Sequence, residues 1–66
     1  MHNCIKIERV INELTQEELA KKVGVSRQTI INLESDKYLP SLLLAWKVAQ
    51  VFGKTIEEVF FIVERD

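Results

Sequence analysis

A run of capping residues near the middle of the chain fixes two helices and the short turn between them. Thr15-Gln16-Glu17-Glu18 matches a capping box, in which the threonine accepts a hydrogen bond from the helix backbone and the glutamate reaches back. A helix therefore begins near Gln16. Gly24 ends it as a left-handed cap. Ser26 is an N-cap candidate only two residues later and predicts a second helix over 27–34.

The apolar residues of these two helices are spaced so that they face each other. Leu19 and Val23 in the first helix, and Ile30 and Leu33 in the second, recur at helical spacing and form the inward sides. Ala20 is small because a larger side chain would push two steeply crossing helices apart. Two short helices joined by a turn that contains glycine form a helix-turn-helix arrangement.

A helix is also predicted before this pair. Ile7, Val10, Ile11 and Leu14 recur at i, i+3, i+4 and i+7, which places them on one face of a helix. Residues 1–4 show no such pattern and are expected to be a frayed end with an inert thiol.

Two further helices are predicted after the pair. The fourth helix runs from about Ser41 to Phe52 and is capped by Gly53. A second capping box, Thr55-Ile56-Glu57-Glu58, opens a short fifth helix. Its inward residues are Ile56, Val59 and Phe60. The tail Phe61–Val63 is aromatic and β-branched, so it is a candidate for a short strand.

The length of the chain limits how such a fold can be stabilised. Its 66 residues allow one domain, residues 1–66, with a marginal core, because a chain this short buries only about 60% of the surface that its unfolded form exposes. Cys4 is the only cysteine, and with His2 it supplies too few ligands for a structural zinc site. The remaining ways to stabilise the fold are close helix packing and dimerisation.

Several classes of protein are excluded by what the sequence lacks. Its longest apolar runs have five residues, against about 18 needed to cross a bilayer, so we expect no membrane contact. No signal pattern is present, and a lone thiol favours the reducing cytoplasm. The pairs Glu17-Glu18 and Glu57-Glu58 lie in first helical turns, where the helix dipole favours carboxylates. We expect no enzyme and no cofactor, metal or small-molecule ligand.

The helix over 27–34 carries the residues that indicate a function. With Ile30 and Leu33 on its buried side, Gln28 and Asn32 point most directly away from the body. In the DNA major groove, Arg pairs with guanine O6 and N7, Gln or Asn pairs with adenine N6 and N7, and an apolar side chain rests on the thymine methyl. The candidate base-reading residues are Arg27, Gln28, Thr29, Ile31 and Asn32. For Ile31, partial burial against a loop or partner is an equal alternative.

The stretch Gln16–Ile30 resembles the Cro/xenobiotic-response helix-turn-helix repressors. Lys37–Leu42 and Ile56–Phe60 are similar to the compact, single-domain members of that family, so the resemblance covers nearly all of the chain. It implies an all-α, five-helix, lambda-repressor-like DNA-binding domain, with or without short terminal β-strands. It also implies a homodimer on double-stranded DNA and transcriptional regulation, usually repression.

The same resemblance implies roles for particular residues. Gln16, at the start of its helix, matches a phosphate contact that also braces Gln28. Arg9 and Glu34 match a structural ion pair, which we assign to the scaffold because breaking such a pair is costly. Compact relatives commonly have Asn at the position of Ile31, so their sequence preference does not transfer to this chain.

Charge is the main objection to DNA binding. The chain has 9 basic and 10 acidic residues and a formal net charge of −1, whereas affinity for DNA depends largely on neutralising phosphates. We expect Glu57, Glu58, Glu64 and Asp66, in the C-terminal part, to lie away from the phosphates. Backbone N–H groups at helix starts would bind phosphate without formal charge. The predicted phosphate-binding residues are Gln16, Ser26, Lys37, Tyr38 and Ser41, with help from Lys21 or Lys22.

The composition of the fourth helix predicts self-association. Only Lys47 and Gln50 are polar in it, so its apolar arc is wider than the stripe that a helix normally buries. The predicted dimer interface comprises Leu43, Trp46, Val51, Phe61, Ile62 and Val63. Alternatively, Trp46 packs under the chain's own termini. A symmetric dimer would set two recognition helices about 34 Å apart on a palindromic operator.

Two other functions stay open at this point. The surplus apolar surface can serve a protein-interaction module, such as a coactivator or an antitoxin. His2 and Cys4 can form a pH- or thiol-responsive sensor. Salt separates the first from DNA binding, because DNA binding weakens steeply as salt rises whereas an apolar protein interface does not.

Overall fold

Five helices and a two-stranded sheet make up the computed structural model, which describes residues 2–61. In chain order they are β1 (His2–Asn3), α1 (Ile5–Ile11), α2 (Gln16–Val23), α3 (Arg27–Glu34), α4 (Leu42–Val51), α5 (Ile56–Val59) and β2 (Phe60–Phe61). The prediction of an all-α, five-helix fold with short terminal strands is confirmed, and α2 and α3 begin at the residues that their caps indicate.

Side-chain caps define where α2 to α5 begin. Thr15 and Glu18 form the capping box of α2: the Glu18 backbone N–H donates to Thr15 Oγ1 over 3.0 Å, and the Thr15 N–H donates to Glu18 Oε1 over 2.9 Å. Thr55 and Glu58 repeat the motif at α5. Ser26 and Ser41 cap α3 and α4 through single hydrogen bonds. The starts of these helices are therefore set locally.

The capping box of α2 makes stability depend on pH. Hydrogen bonds from the Thr15 backbone N–H, and then from its side chain, hold the pKa of Glu18 below its ordinary value of 4.5. Because the folded pKa is the lower one, the stabilisation is present above the unfolded pKa and is lost as the pH falls through the folded pKa. We expect Glu18→Gln to flatten the fall in thermal midpoint on acidification, measured by circular dichroism. Glu17→Gln, in the same turn, is the control, and equal flattening in both variants would contradict this origin.

The turn between α2 and α3 depends on the backbone of Gly24. This residue has φ +78° and ψ 34°, in the left-handed region, and its N–H donates to the Ala20 carbonyl over 2.9 Å. A Cβ placed on Gly24 would meet nothing within 4 Å. Conformation, and not lack of space, therefore calls for glycine at this position.

Substitution of Gly24 tests that reasoning. We expect Gly24→Ala to lower the free energy of unfolding by about 1–2 kcal/mol, because alanine is strained in the left-handed region. Gly24→Asn should cost less, because asparagine visits that region more readily. Urea unfolding of both variants measures the difference. If asparagine proves the more damaging of the two, size rather than conformation matters here.

The core lies where α2, α3 and α4 meet. Leu19, Ile30, Leu33 and Val48 are fully buried, and Ala20 is buried in the same cluster. The predicted inward residues of α2 and α3 are confirmed. Because α2 and α3 pack into the core along the side that carries these residues, the opposite side of α3 is held facing solvent.

The apolar face that the sequence places on α1 does not pack against the core. Three of the four residues on that face are exposed, namely Ile7, Val10 and Ile11. Leu14 alone packs against the core, and the buried residues of α1 itself are Ile5 and Glu8. Glu8 can face inward because its carboxylate accepts a hydrogen bond from the Lys54 ammonium. An ion pair with a residue far along the chain thus sets the rotation of α1, which local periodicity does not reveal.

The N-terminus is anchored, so the prediction of a frayed end is wrong. β1 pairs with β2 in antiparallel register. Asn3 Nδ2 donates to the Leu33 carbonyl over 2.7 Å and to Asp36 Oδ1 over 3.0 Å. The first residues described therefore tie the sheet to the C-terminal end of α3.

The candidate C-terminal strand begins one residue earlier than predicted. Phe60 has extended backbone and belongs to β2, although its side chain is buried as expected of an inward residue. Phe61 follows it in the strand and is exposed. Ile62 and Val63 lie outside the described residues.

Candidate nucleic-acid interface

The first six residues of α3 hold all five candidate base-reading residues. Ile30 and Leu33 turn inward and are fully buried. On the remaining sides of the helix, Arg27 and Gln28 are exposed. The half-buried candidates are Thr29, Ile31 and Asn32. The structure thus places a guanidinium, two amides and a hydroxyl on the first turns of one helix that is fixed to the body by its opposite side.

Ser26 and Thr29 order the start of this helix. The Thr29 N–H donates to Ser26 Oγ over 3.2 Å, and the two hydroxyl oxygens lie 3.0 Å apart. An α-helix start leaves backbone N–H groups without intrahelical partners, and such groups attract phosphate. Ser26 therefore lies where a phosphate contact is expected, but its own oxygen is engaged as a cap.

Gln28 and Asn32 form a pair on the outer side of α3. Gln28 Nε2 donates to Asn32 Oδ1 over 3.1 Å. Residues four apart on a helix face the same direction, so the bond lies along the helix surface. The two residues that the sequence places furthest from the core are thus linked to each other.

Gln16 does not brace Gln28, and that prediction is wrong. Its Nε2 donates instead to Glu34 Oε1 over 3.2 Å. A carboxylate is a stronger acceptor than an amide oxygen, so Glu34 is the better partner for this donor. Gln16 still borders a cleft at the starts of α2 and α3, together with Arg27 and Glu17.

A buried ion pair fixes α3 relative to α1. Arg9 Nε donates to Glu34 Oε2 over 2.7 Å, and Arg9 Nη1 donates to the Leu14 carbonyl over 2.9 Å. The side chains of Arg9 and Glu34 are only 13% and 8% exposed. Both groups are nearly removed from water, so the pair acts on the orientation of the scaffold rather than on a ligand.

The remaining candidate phosphate-binding residues lie after α3. Tyr38 and Ser41 line one groove beside the α2–α3 turn, and Lys47 of α4 lines it as well. Lys37 is exposed at the end of α3, where its N–H donates to the Asn32 carbonyl over 3.0 Å. The sequence pattern does not single out Lys47, although it is the one basic residue of α4 and could have been found on that ground.

The basic residues of α2 lie in a different groove. Lys21 and Lys22 line the space between α2 and α4 together with Trp46 and Lys47. Lys47 borders both grooves, and among the described residues it is the one charged residue of the groove beside the α2–α3 turn. Arg9 and Lys54, by contrast, are neutralised within the fold by ion pairs.

An apolar groove lies between α4 and α5. It is lined by Leu42, Leu43, Trp46 and Ile56. Leu43 is 61% exposed and Trp46 is 50% exposed, so Trp46 is not buried under the termini within the part of the chain that is described. Leu42 and Ile56 line this groove as well, although they were not among the residues of the predicted dimer interface.

Val51 and Phe61, two other members of the predicted dimer interface, differ in how exposed they are. Val51 is half-buried: it packs against the core, and it lines one groove with Asn12 and Leu14 and another with Trp46. It lies at the last position of α4, where the helix turns it inward. Phe61 is 44% exposed in β2 and remains a candidate.

Within residues 2–61, no helix is long and apolar enough to cross a membrane. The same residues contain no group of three or more His, Cys, Asp or Glu placed to hold a metal ion.

A capped two-helix unit, whose second helix presents polar side chains away from a shared core, defines a DNA-binding protein of the helix-turn-helix class. The helix-turn-helix family profile matches residues 3–59, so the chain belongs to this family. It is a transcriptional regulator with a helix-turn-helix DNA-binding domain.

Several known proteins are similar to it. An uncharacterized HTH-type transcriptional regulator of Methanocaldococcus jannaschii is 58% identical over 60 residues, which cover 91% of each chain. YgzD of Bacillus subtilis, which has the same description, is 41% identical over the whole of both chains. The antitoxin HipB of Escherichia coli O6:H1 is 42% identical over 48 residues, 73% of this chain and 51% of HipB.

Proposed function

We propose that this protein is a repressor that binds a palindromic operator as a homodimer, with α3 in the major groove of each half-site. The observation that carries the proposal is the solvent-facing side of α3, where Arg27 and Gln28 are exposed while Ile30 and Leu33 hold the helix to the body. Guanidinium and amide groups are the side chains that read base edges in that groove. A dimer occupying these base pairs excludes other proteins from them, which represses transcription.

Contacts with DNA phosphates lie on either side of α3 and hold the protein in position. Gln16 and Arg27 border the cleft at the helix starts, and Tyr38, Ser41 and Lys47 border the groove beside the turn. These residues flank the recognition helix, as backbone contacts must if α3 lies between two phosphate strands. Few of them are charged, so one subunit alone binds weakly and depends on a second.

A second copy of the chain supplies that subunit through the apolar groove. Leu42 and Leu43 lie exposed beside Trp46 and Ile56 at the junction of α4 and α5, and large apolar side chains clustered on a surface mark an interaction site. A symmetric dimer brings the same patch of both subunits together. The two copies of α3 would then meet half-sites about one helical turn apart.

Selection of duplexes from a random pool, at fixed salt, tests the proposal. We expect enrichment of a palindrome whose half-sites lie about 10 base pairs apart, centre to centre. The logarithm of affinity for that duplex should fall linearly with the logarithm of salt concentration. Failure to enrich any sequence would refute sequence-specific binding.

A protein-interaction module is the second candidate, favoured by the apolar groove and by the similarity to HipB, an antitoxin. The same preparation distinguishes it. A salt-insensitive complex with another protein, in the absence of duplex binding, would favour this candidate over the repressor.

A further inference from the structure

The pair Gln28–Asn32 has one exposed and one half-buried member. Gln28 is exposed, whereas Asn32 is half-buried one turn further along α3. Asn32 also has the shorter side chain, with one fewer rotatable bond. The bond of 3.1 Å between them therefore restrains the freer glutamine through the more fixed asparagine.

That bond determines which atoms Gln28 has left for a ligand. A primary amide has one acceptor oxygen and two N–H donors. Asn32 Oδ1 takes one donor of Gln28, so Gln28 Oε1 and one N–H on the neighbouring nitrogen remain. An acceptor beside a donor complements adenine N6–H and N7. Guanine presents two acceptors, O6 and N7, and leaves Oε1 unpaired.

Neighbouring polar side chains are engaged elsewhere. Gln16 donates to Glu34, and the Thr29 hydroxyl lies against that of Ser26. Among residues 2–61, Asn32 is the side chain to which Gln28 is hydrogen-bonded.

We propose that Asn32 is a positioning residue, which holds the amide of Gln28 so that Gln28 selects an A·T pair at one position of each half-site. This inference rests on the proposed function, because it concerns which base pair the DNA-binding surface prefers. It gives the role of brace to a residue of the recognition helix itself, one turn from Gln28.

Parallel duplex selections with Gln28→Ala, Asn32→Ala and Asn32→Asp test it at fixed salt. Asn32→Ala should relax the A·T preference at the same position as Gln28→Ala, by about tenfold. Asn32→Asp keeps the Oδ1 acceptor, so it should retain that preference while binding all duplexes more weakly, because it adds negative charge near phosphate. The double alanine variant should relax the position no further than Gln28→Ala alone, because the two residues act as one unit.

Three results would overturn the assignment. Relaxation by Asn32→Ala at a different base pair would make Asn32 a base-reading residue in its own right. Equal relaxation by Asn32→Asp and Asn32→Ala, with native thermal midpoints, would show that the acceptor is irrelevant. Additive losses in the double variant would show independent contacts. If the parent protein enriches no duplex, the proposed function itself fails, and this inference fails with it.

Discussion

Replacing Glu34 with alanine is expected to lower the free energy of unfolding by about 3–5 kcal/mol. The side chain of Arg9 is only 13% exposed, so its guanidinium would lose its charged partner while largely shielded from water, and Gln16 would lose its acceptor as well. A domain of this size has only about 3–5 kcal/mol of stability from its core. Thermal and urea unfolding should therefore show a largely unfolded variant.

Two further variants separate loss of the ion pair from loss of a side chain. Glu17→Ala removes an exposed glutamate of α2 and should change stability by less than about 0.5 kcal/mol. Replacing both partners, Arg9→Met with Glu34→Leu, should give a more stable protein than Glu34→Ala, because no charge is left buried alone. Equal stabilities of Glu34→Ala and Glu17→Ala would contradict a structural role for this pair.

Leu43→Asp is expected to separate the dimer and to weaken operator binding by about 100-fold or more, since two linked binding modules gain at least that factor over one. Leu43 is 61% exposed, so the fold of each subunit should persist. Sedimentation measures the association state, and titration of the palindromic duplex measures the affinity.

Ile11→Asp is the matched control for this variant. Ile11 is 67% exposed on α1, away from the apolar groove, so the same change of charge there should leave both association and affinity unaltered. Dissociation by Ile11→Asp but not by Leu43→Asp would move the dimer interface to α1.

Much of the fold could be predicted because its boundaries are set by local chemistry. Thr15, Ser26, Ser41 and Thr55 each cap a helix by accepting a backbone N–H a few residues ahead, and Gly24 adopts the left-handed turn that glycine allows. Such interactions span only one turn of the chain. They can therefore be recognised in the sequence without knowledge of the tertiary structure.

The parts that could not be predicted depend on distant partners. Glu8 faces inward because of Lys54, 46 positions away, and this reverses the apparent apolar face of α1. Gln16 donates a hydrogen bond to Glu34, 18 positions away, and Gln28 donates one to Asn32. Sequence periodicity describes which residues share a face, but not which face a long-range ion pair or hydrogen bond turns inward.

The candidate site, too, has some features that local sequence predicts and others that depend on distant parts of the chain. The outward position of Arg27 and Gln28 follows from the burial of Ile30 and Leu33, so helical periodicity was sufficient to predict it. The grooves beside α3 are formed by elements from different parts of the chain. The tertiary structure is what places Lys47 in one of these grooves.

Base analogues in the enriched operator test most directly whether α3 reads DNA from the major groove. Adenine replaced by 7-deazaadenine loses the N7 acceptor of the major groove, and 3-deazaadenine loses the N3 acceptor of the minor groove. We predict that 7-deazaadenine at the position read by Gln28 weakens binding by the parent protein but not by Gln28→Ala, and that 3-deazaadenine there changes neither. Weakening by 3-deazaadenine alone would contradict the placement of α3 in the major groove.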